Sequence, residues 1–259
     1  MDALIEYILG KESIWQLIDD SPVYHLSMGH MFYEMGLVED AIKEYERVVQ
    51  INPGSAGAHF NIAVLYNEQG RLDEAVNEYD KVLQIKPSCA LAHYNKAVTL
   101  SDMGCYQSAI REYRTTLSID DQNYDAFNNM GTALWNVGLL EEAIEAYENA
   151  IWIDPEQFEA HYNLGALLLE LCRPADAARE CRHAMAASPD SAAAHVLMGS
   201  IYMYAGRVRD AVSELKSAVW KSPGDPLAHY HLSLALTKSG STKDARREYM
   251  RALACGYKG

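Results

Sequence analysis

Residues 56–89 read AGAHFNIAVLYNEQGRLDEAVNEYDKVLQIKPSC. Within them His59, Ile62, Ala63 and Tyr66 recur at helical spacing, which predicts a first helix with one buried face. Gly70 ends it, because glycine alone enters the left-handed conformation past a helix C-terminus without a steric penalty. A second helix is expected from about Leu72, with Ala75, Tyr79, Val82 and Ile85 as its buried stripe. Pro87 stops that helix, since proline cannot donate the next backbone hydrogen bond. The stretch therefore encodes two helices joined by a tight turn.

The same offsets extend through the rest of the chain. Pro53, Pro87, Pro155, Pro189 and Pro223 fall on one grid of 34 residues, and Asp121 occupies the grid point that lacks proline. In that frame segments begin at Pro22, Ala56, Ala90, Tyr124, Phe158, Ala192 and Pro226. Position 8 of each segment is small, being glycine, alanine or serine from Gly29 to Ser233, and position 20 is alanine from Ala41 to Ala245. Position 24 supplies the matching knob, filled by Tyr45, Tyr79, Tyr113, Tyr147, Cys181, Leu215 and Tyr249. Small residues facing a large one let two helices approach closely. A fixed period of this length is the mark of a stacked array rather than of one enlarged core.

The pattern resembles the tetratricopeptide repeat, in seven copies at 22–55, 56–89, 90–123, 124–157, 158–191, 192–225 and 226–259. The resemblance implies an all-α fold, a right-handed α-solenoid of antiparallel helix pairs, of the superhelical type that carries an asparagine ladder. Two departures stand out. Position 4 holds His25, His59, His93, His161, His195 and His229 where the family often has a large apolar residue, with Phe127 in the fourth segment. In the fifth, Cys172 replaces the turn glycine and Pro174 follows, so an altered turn is expected there. Residues 1–21 carry Leu4, Ile5, Ile8 and Leu9, then Ile14, Trp15, Leu17 and Ile18, and are expected to cap the first repeat.

In this family the first helix of each repeat lines a concave groove. Position 6 then presents Asn61, Asn95, Asn129 and Asn163, and a carboxamide both donates and accepts, so such a ladder can hold the backbone of an extended peptide. Phe60, Tyr94, Asn128, Trp135 and Tyr162 surround it, with Glu68 and Asp102 among the acids along one side. An aromatic, acidic groove favours an extended protein segment that is basic or mixes basic and apolar side chains. Trp152 and Trp220 fall at an outward position of the second helix and mark a possible second interface.

Composition narrows the alternatives. The formal net charge is −14, and residues 192–259 hold 10 Lys+Arg against 5 Asp+Glu, so the remainder of the chain carries −19. Nucleic acid is not an expected partner of such a surface. The acidic part and the basic end, with Arg246, Arg247 and Arg251, suggest salt-dependent self-association. No apolar run reaches membrane-spanning length and no secretory leader is evident, which makes a cytoplasmic protein the expectation and membrane binding a remote one. Five cysteines at irregular spacing suit buried free thiols. The six histidines recur once per repeat, too far apart to share a metal ion, so core packing is their expected role and no metal or cofactor is expected. No nucleophile, phosphate-binding or metalloprotease motif occurs, and catalysis is not expected. The reading is a non-catalytic adaptor or scaffold, with two alternatives: a structural assembly platform, or a substrate-recruiting subunit of an enzyme encoded elsewhere.

Overall fold

The computed structural model describes residues 21–258. Among the described residues there are fourteen α-helices and no strand. The chain divides into two compact units, Met1–Asp121 and Gln122–Gly259. The first holds the pairs α1 (Pro22–Glu34) and α2 (Val38–Ile51), α3 (Ala56–Glu68) and α4 (Leu72–Ile85), and α5 (Ala90–Asp102) and α6 (Tyr106–Ile119). The second holds α7 (Tyr124–Asn136) with α8 (Leu140–Ile153), and α9 (Phe158–Glu170) with α10 (Pro174–Ala187). It continues with α11 (Ala192–Tyr204) and α12 (Val208–Lys221), then α13 (Pro226–Lys238) and α14 (Thr242–Ala254). Within each unit a helix packs on its hairpin partner and the second helix of one hairpin packs on the first of the next. The fold is an all-α helical-repeat solenoid. Apart from Ser21, the expected N-terminal cap lies outside the described residues.

Local chemistry explains the hairpins. Ser55, Asn123 and Ser191 cap α3, α7 and α11 by accepting from the backbone N–H of Ala58, Ala126 and Ala194. The turns between helices use a left-handed residue, with Gly36, Gly70, Gly104, Gly138, Gly206 and Gly240 at φ from 73° to 84°. Cys172 takes the same place in the fifth repeat at φ 59°. The altered turn expected there is not found. Cysteine instead adopts the left-handed conformation that glycine adopts elsewhere, at a steric cost of about 1–2 kcal/mol.

The core follows the small-residue pattern. Ala41, Ala75, Ala109, Ala143, Ala177 and Ala211 are fully buried, and the knobs Tyr45, Tyr79, Tyr113, Tyr147, Cys181 and Leu215 are 0–3% exposed. A Cβ on Gly131 would meet the Tyr147 ring at 2.7 Å, so only glycine allows that contact as it stands. Tyr249, the last knob, is 41% exposed, and Ile85, expected in the buried stripe of α4, is also exposed. Of the five free cysteines only Cys181 is buried, and Cys105, Cys172 and Cys255 are exposed, contrary to the expectation of buried thiols. Burial pushes the Cys181 thiol up to about 12.

Candidate protein-binding face

The position-4 histidines are more than packing residues. His25, His59, His93, His161, His195 and His229 each direct Nδ1 at a glutamate 19 residues on, in the second helix of the same hairpin, at 2.6–2.8 Å. In four of them Nε2 also reaches the carbonyl of the proline six residues back: Pro53 at 3.3 Å, Pro87 at 3.0 Å, Pro155 at 3.1 Å and Pro223 at 3.0 Å. At His161 the bond to Glu180 holds the imidazole pKa above the usual histidine range, so that ring can donate from both nitrogens, to the carboxylate and to the carbonyl. One ring thereby ties a first helix to its own second helix and to the turn that precedes it. The fourth repeat lacks all three members together, with Asp121, Phe127 and Ala146 in their places. The glutamate column was missed in the sequence, although Glu44, Glu78, Glu112, Glu180, Glu214 and Glu248 recur wherever the histidine does. That joint pattern was the available signal.

At His93 the link widens into a network. Lys96 donates to Glu112 and pairs with Asp80, both at 2.7 Å. Burial pushes the Glu112 carboxyl up, but hydrogen bonds from Lys96 and His93 outweigh it and hold the group below the usual carboxylate range.

These ties fix the first helices, whose outer surface carries the candidate site. In the first unit Leu26, Phe60, Asn61 and Leu91 line a cleft of about 250 Å³ with Lys86 and Cys89 at its edge. Leu91 is 57% and Leu26 40% exposed, and Phe60 lies edge-on to the Tyr79 ring at 5.8 Å. Tyr94 sits half-buried beside Tyr113, with the ring centres 6.1 Å apart. Glu68 and Asp102 are exposed at the C-terminal ends of α3 and α5, outside the residues that line the cleft. Tyr33 donates to Glu68 at 3.0 Å, an accepted bond that raises the tyrosine pKa. Leu26 and Leu91 were not among the expected site residues, although their outward repeat positions marked them.

The asparagines are less free than a ladder of peptide-binding groups requires. Asn61 and Asn95 are half-buried, and each hydrogen-bonds the knob tyrosine of the preceding repeat, Tyr45 and Tyr79. In the second unit Asn128 is buried at 7% exposure, which removes it from the accessible surface where it was expected. Its carboxamide donates to Asn129 at 3.3 Å and accepts from Asn163 at 3.0 Å. Trp135 is half-buried and donates to Glu170 at 3.0 Å, and Tyr162 stacks on Phe158 with 5.3 Å between ring centres. Tyr33 to Glu68 and Trp135 to Glu170 join the same two repeat positions in neighbouring hairpins. On the opposite side of the second unit Trp152 and Trp220 stand 73% and 79% exposed. The Lys221 ammonium lies 5.9 Å from the centre of the Trp220 ring.

Sequence models of the tetratricopeptide repeat match residues 32–98, and, for a second model, 94–151 and 196–256. A model described as TPR repeat matches residues 137–171. The chain is a tetratricopeptide repeat protein. No curated protein matches it in sequence. Solved structures share its fold. A tetratricopeptide repeat protein from Parabacteroides merdae ATCC 43184 is 14% identical, with a TM-score of 0.76 over 92% of this chain and 94% of that one. YrrB, described as a TPR protein with an unusual peptide-binding site, is 23% identical, with a TM-score of 0.59 over 71% of this chain and 95% of that one. MamA from Desulfovibrio magneticus RS-1, from residue 41 to its end, is 22% identical, with a TM-score of 0.58 over 64% of this chain and 94% of that one. At these identities the likeness is one of fold. Among the described residues no helix is long and apolar enough to cross a membrane.

Proposed function

We propose that this protein is a non-catalytic adaptor that holds an extended segment of a partner protein against the surface built by its first helices. The observation that carries this reading is the cleft of the first unit, where Leu26 and Leu91 stand exposed beside Phe60 and Asn61. Exposed leucines around a ring suit an apolar side chain of the segment, and the acids Glu68 and Asp102, further along α3 and α5 at their C-terminal ends, suit lysine or arginine elsewhere in it. The structural likeness to YrrB, described as having a peptide-binding site, supports the same use of the fold. The bound asparagines modify how such a segment would be held. Their carboxamides position tyrosines and one another, so contact by the exposed apolar and acidic groups carries most of the recognition.

Selection from a displayed library of random linear peptides tests the proposal. The expected binders are rich in lysine or arginine and carry leucine or an aromatic residue as well. Their affinity should fall at least about tenfold for Leu91→Glu, equivalent to about 1.4 kcal/mol. Leu91 is largely exposed, so the variant should fold as wild type does. Binders that ignore Leu91→Glu and Glu68→Lys alike would remove this face from consideration.

A further inference from the structure

Trp152 and Trp220 occupy the same repeat position on α8 and α12, each at the end of an outward stripe spaced by three and four residues, one face of a helix. On α8 the stripe is Glu141, Glu145, Glu148 and Trp152; on α12 it is Arg209, Ser213, Lys216 and Trp220. All eight side chains are exposed. Among the described residues none of these three glutamates, nor Arg209 or Lys216, is in an ion pair. The charge contrast is sharpened by the buried histidine links, because Glu214, the remaining glutamate of α12, is turned inward onto His195 at 2.7 Å. Between the two stripes lies α10, whose corresponding residues are Ala175, Arg179, Arg182 and Ala186.

One surface thus carries an acidic stripe and a basic stripe, each ending in an exposed tryptophan, symmetrically about α10. We propose that this outer face of the second unit is a self-complementary dimer interface, in which a second copy docks with its two-fold axis along α10. Such an axis exchanges α8 with α12 while keeping helix direction. Glu141 then faces Arg209 of the second copy, Glu148 faces Lys216, and the two tryptophans meet, with every contact repeated once by symmetry. The indoles supply buried aromatic area at the ends, and the opposite charges set the register. On the axis Arg179 and Arg182 of α10 face their own counterparts in the second copy; Arg179 is held by Asp176 and Glu180 of its own chain, and in the docked pair Arg182 is flanked by the acidic stripes of both copies. This contact is separate from the proposed peptide face, and either can hold without the other.

Sedimentation velocity of the full chain tests it. At about 0.05 M salt the chain should form a dimer and nothing larger, and at about 1 M salt, where screening acts within about 3 Å, it should dissociate. Lys216→Glu and Glu148→Lys should each raise the dimer dissociation constant at least about tenfold, and the chain carrying both should recover the dimer. Trp220→Ala should weaken the dimer without changing the melting temperature, because the ring is 79% exposed. A monomer at low salt would overturn the proposal. So would failure of the double reversal to recover association, or open-ended growth beyond the dimer, the result expected of a head-to-tail contact.

Discussion

His161 is the residue at which the array's local logic can be read most directly. Its Nδ1 donates to Glu180 at 2.8 Å and its Nε2 to the Pro155 carbonyl at 3.1 Å. The bond to Glu180 holds the imidazole pKa above the usual histidine range, and the same bond holds the Glu180 carboxyl below its own. Removing Glu180 alone leaves a buried imidazole without its counter-charge, and Glu180→Ala should cost about 3–5 kcal/mol in urea denaturation. The fourth repeat offers a natural replacement, Phe127 with Ala146. Installing it as His161→Phe with Glu180→Ala should bring the loss back to about 1 kcal/mol, since replacing both partners by apolar groups leaves no orphan. A double variant as unstable as the single one would contradict this reading. The sign of the pH effect follows from the two shifts. A raised histidine contributes stability in full below about 6.5 and loses it as pH rises through its folded value. A lowered carboxylate contributes above about 4.3 and loses it as pH falls. Wild type should therefore exceed the double variant in melting temperature most between those two values. At Cys172 the left-handed backbone favours glycine, and Cys172→Gly should raise the urea midpoint by the equivalent of about 0.5–1 kcal/mol, after the entropy that glycine adds to the unfolded chain.

At the scale of the helix, the repeat frame in the sequence was enough to place both members of each hairpin. Proline and glycine punctuation is a local signal, and the small residues at positions 8 and 20 fix which faces meet. Partners 19 residues apart were not legible in the same way. His59 and Glu78 are each ordinary at their own positions, and their bond appears only when two helices are packed. The asparagines show the opposite error. Their outward register predicted accessible carboxamides, yet the tyrosine hydroxyl of the preceding repeat needs a partner as it is buried, and Asn95 supplies one to Tyr79. Burial pushes the Tyr79 hydroxyl up to about 12. Tyr79→Phe should consequently cost about 1 kcal/mol through that single bond, whereas Tyr79→Ala should cost about 3–5 kcal/mol through the cavity. Thermal denaturation of the two variants checks the difference, and equal losses would show that the hydroxyl contributes nothing.

Across the whole molecule, charge and apolar exposure are divided between surfaces with different proposed uses. The first helices offer leucine, aromatic and acidic groups to a segment of another protein, and the outer side of the second unit offers matched stripes to a copy of itself. A net charge of −14 and the spread of acids make a basic ligand the natural complement of the former. Hydrogen exchange of the full chain, with and without a lysine-rich peptide selected for binding, separates these surfaces in one measurement. On the proposed account the peptide slows exchange in α1, α3 and α5, with α6 unchanged. Protection confined to α8 and α12 around Trp152 and Trp220, with α3 and α5 exchanging as in the free protein, would contradict it.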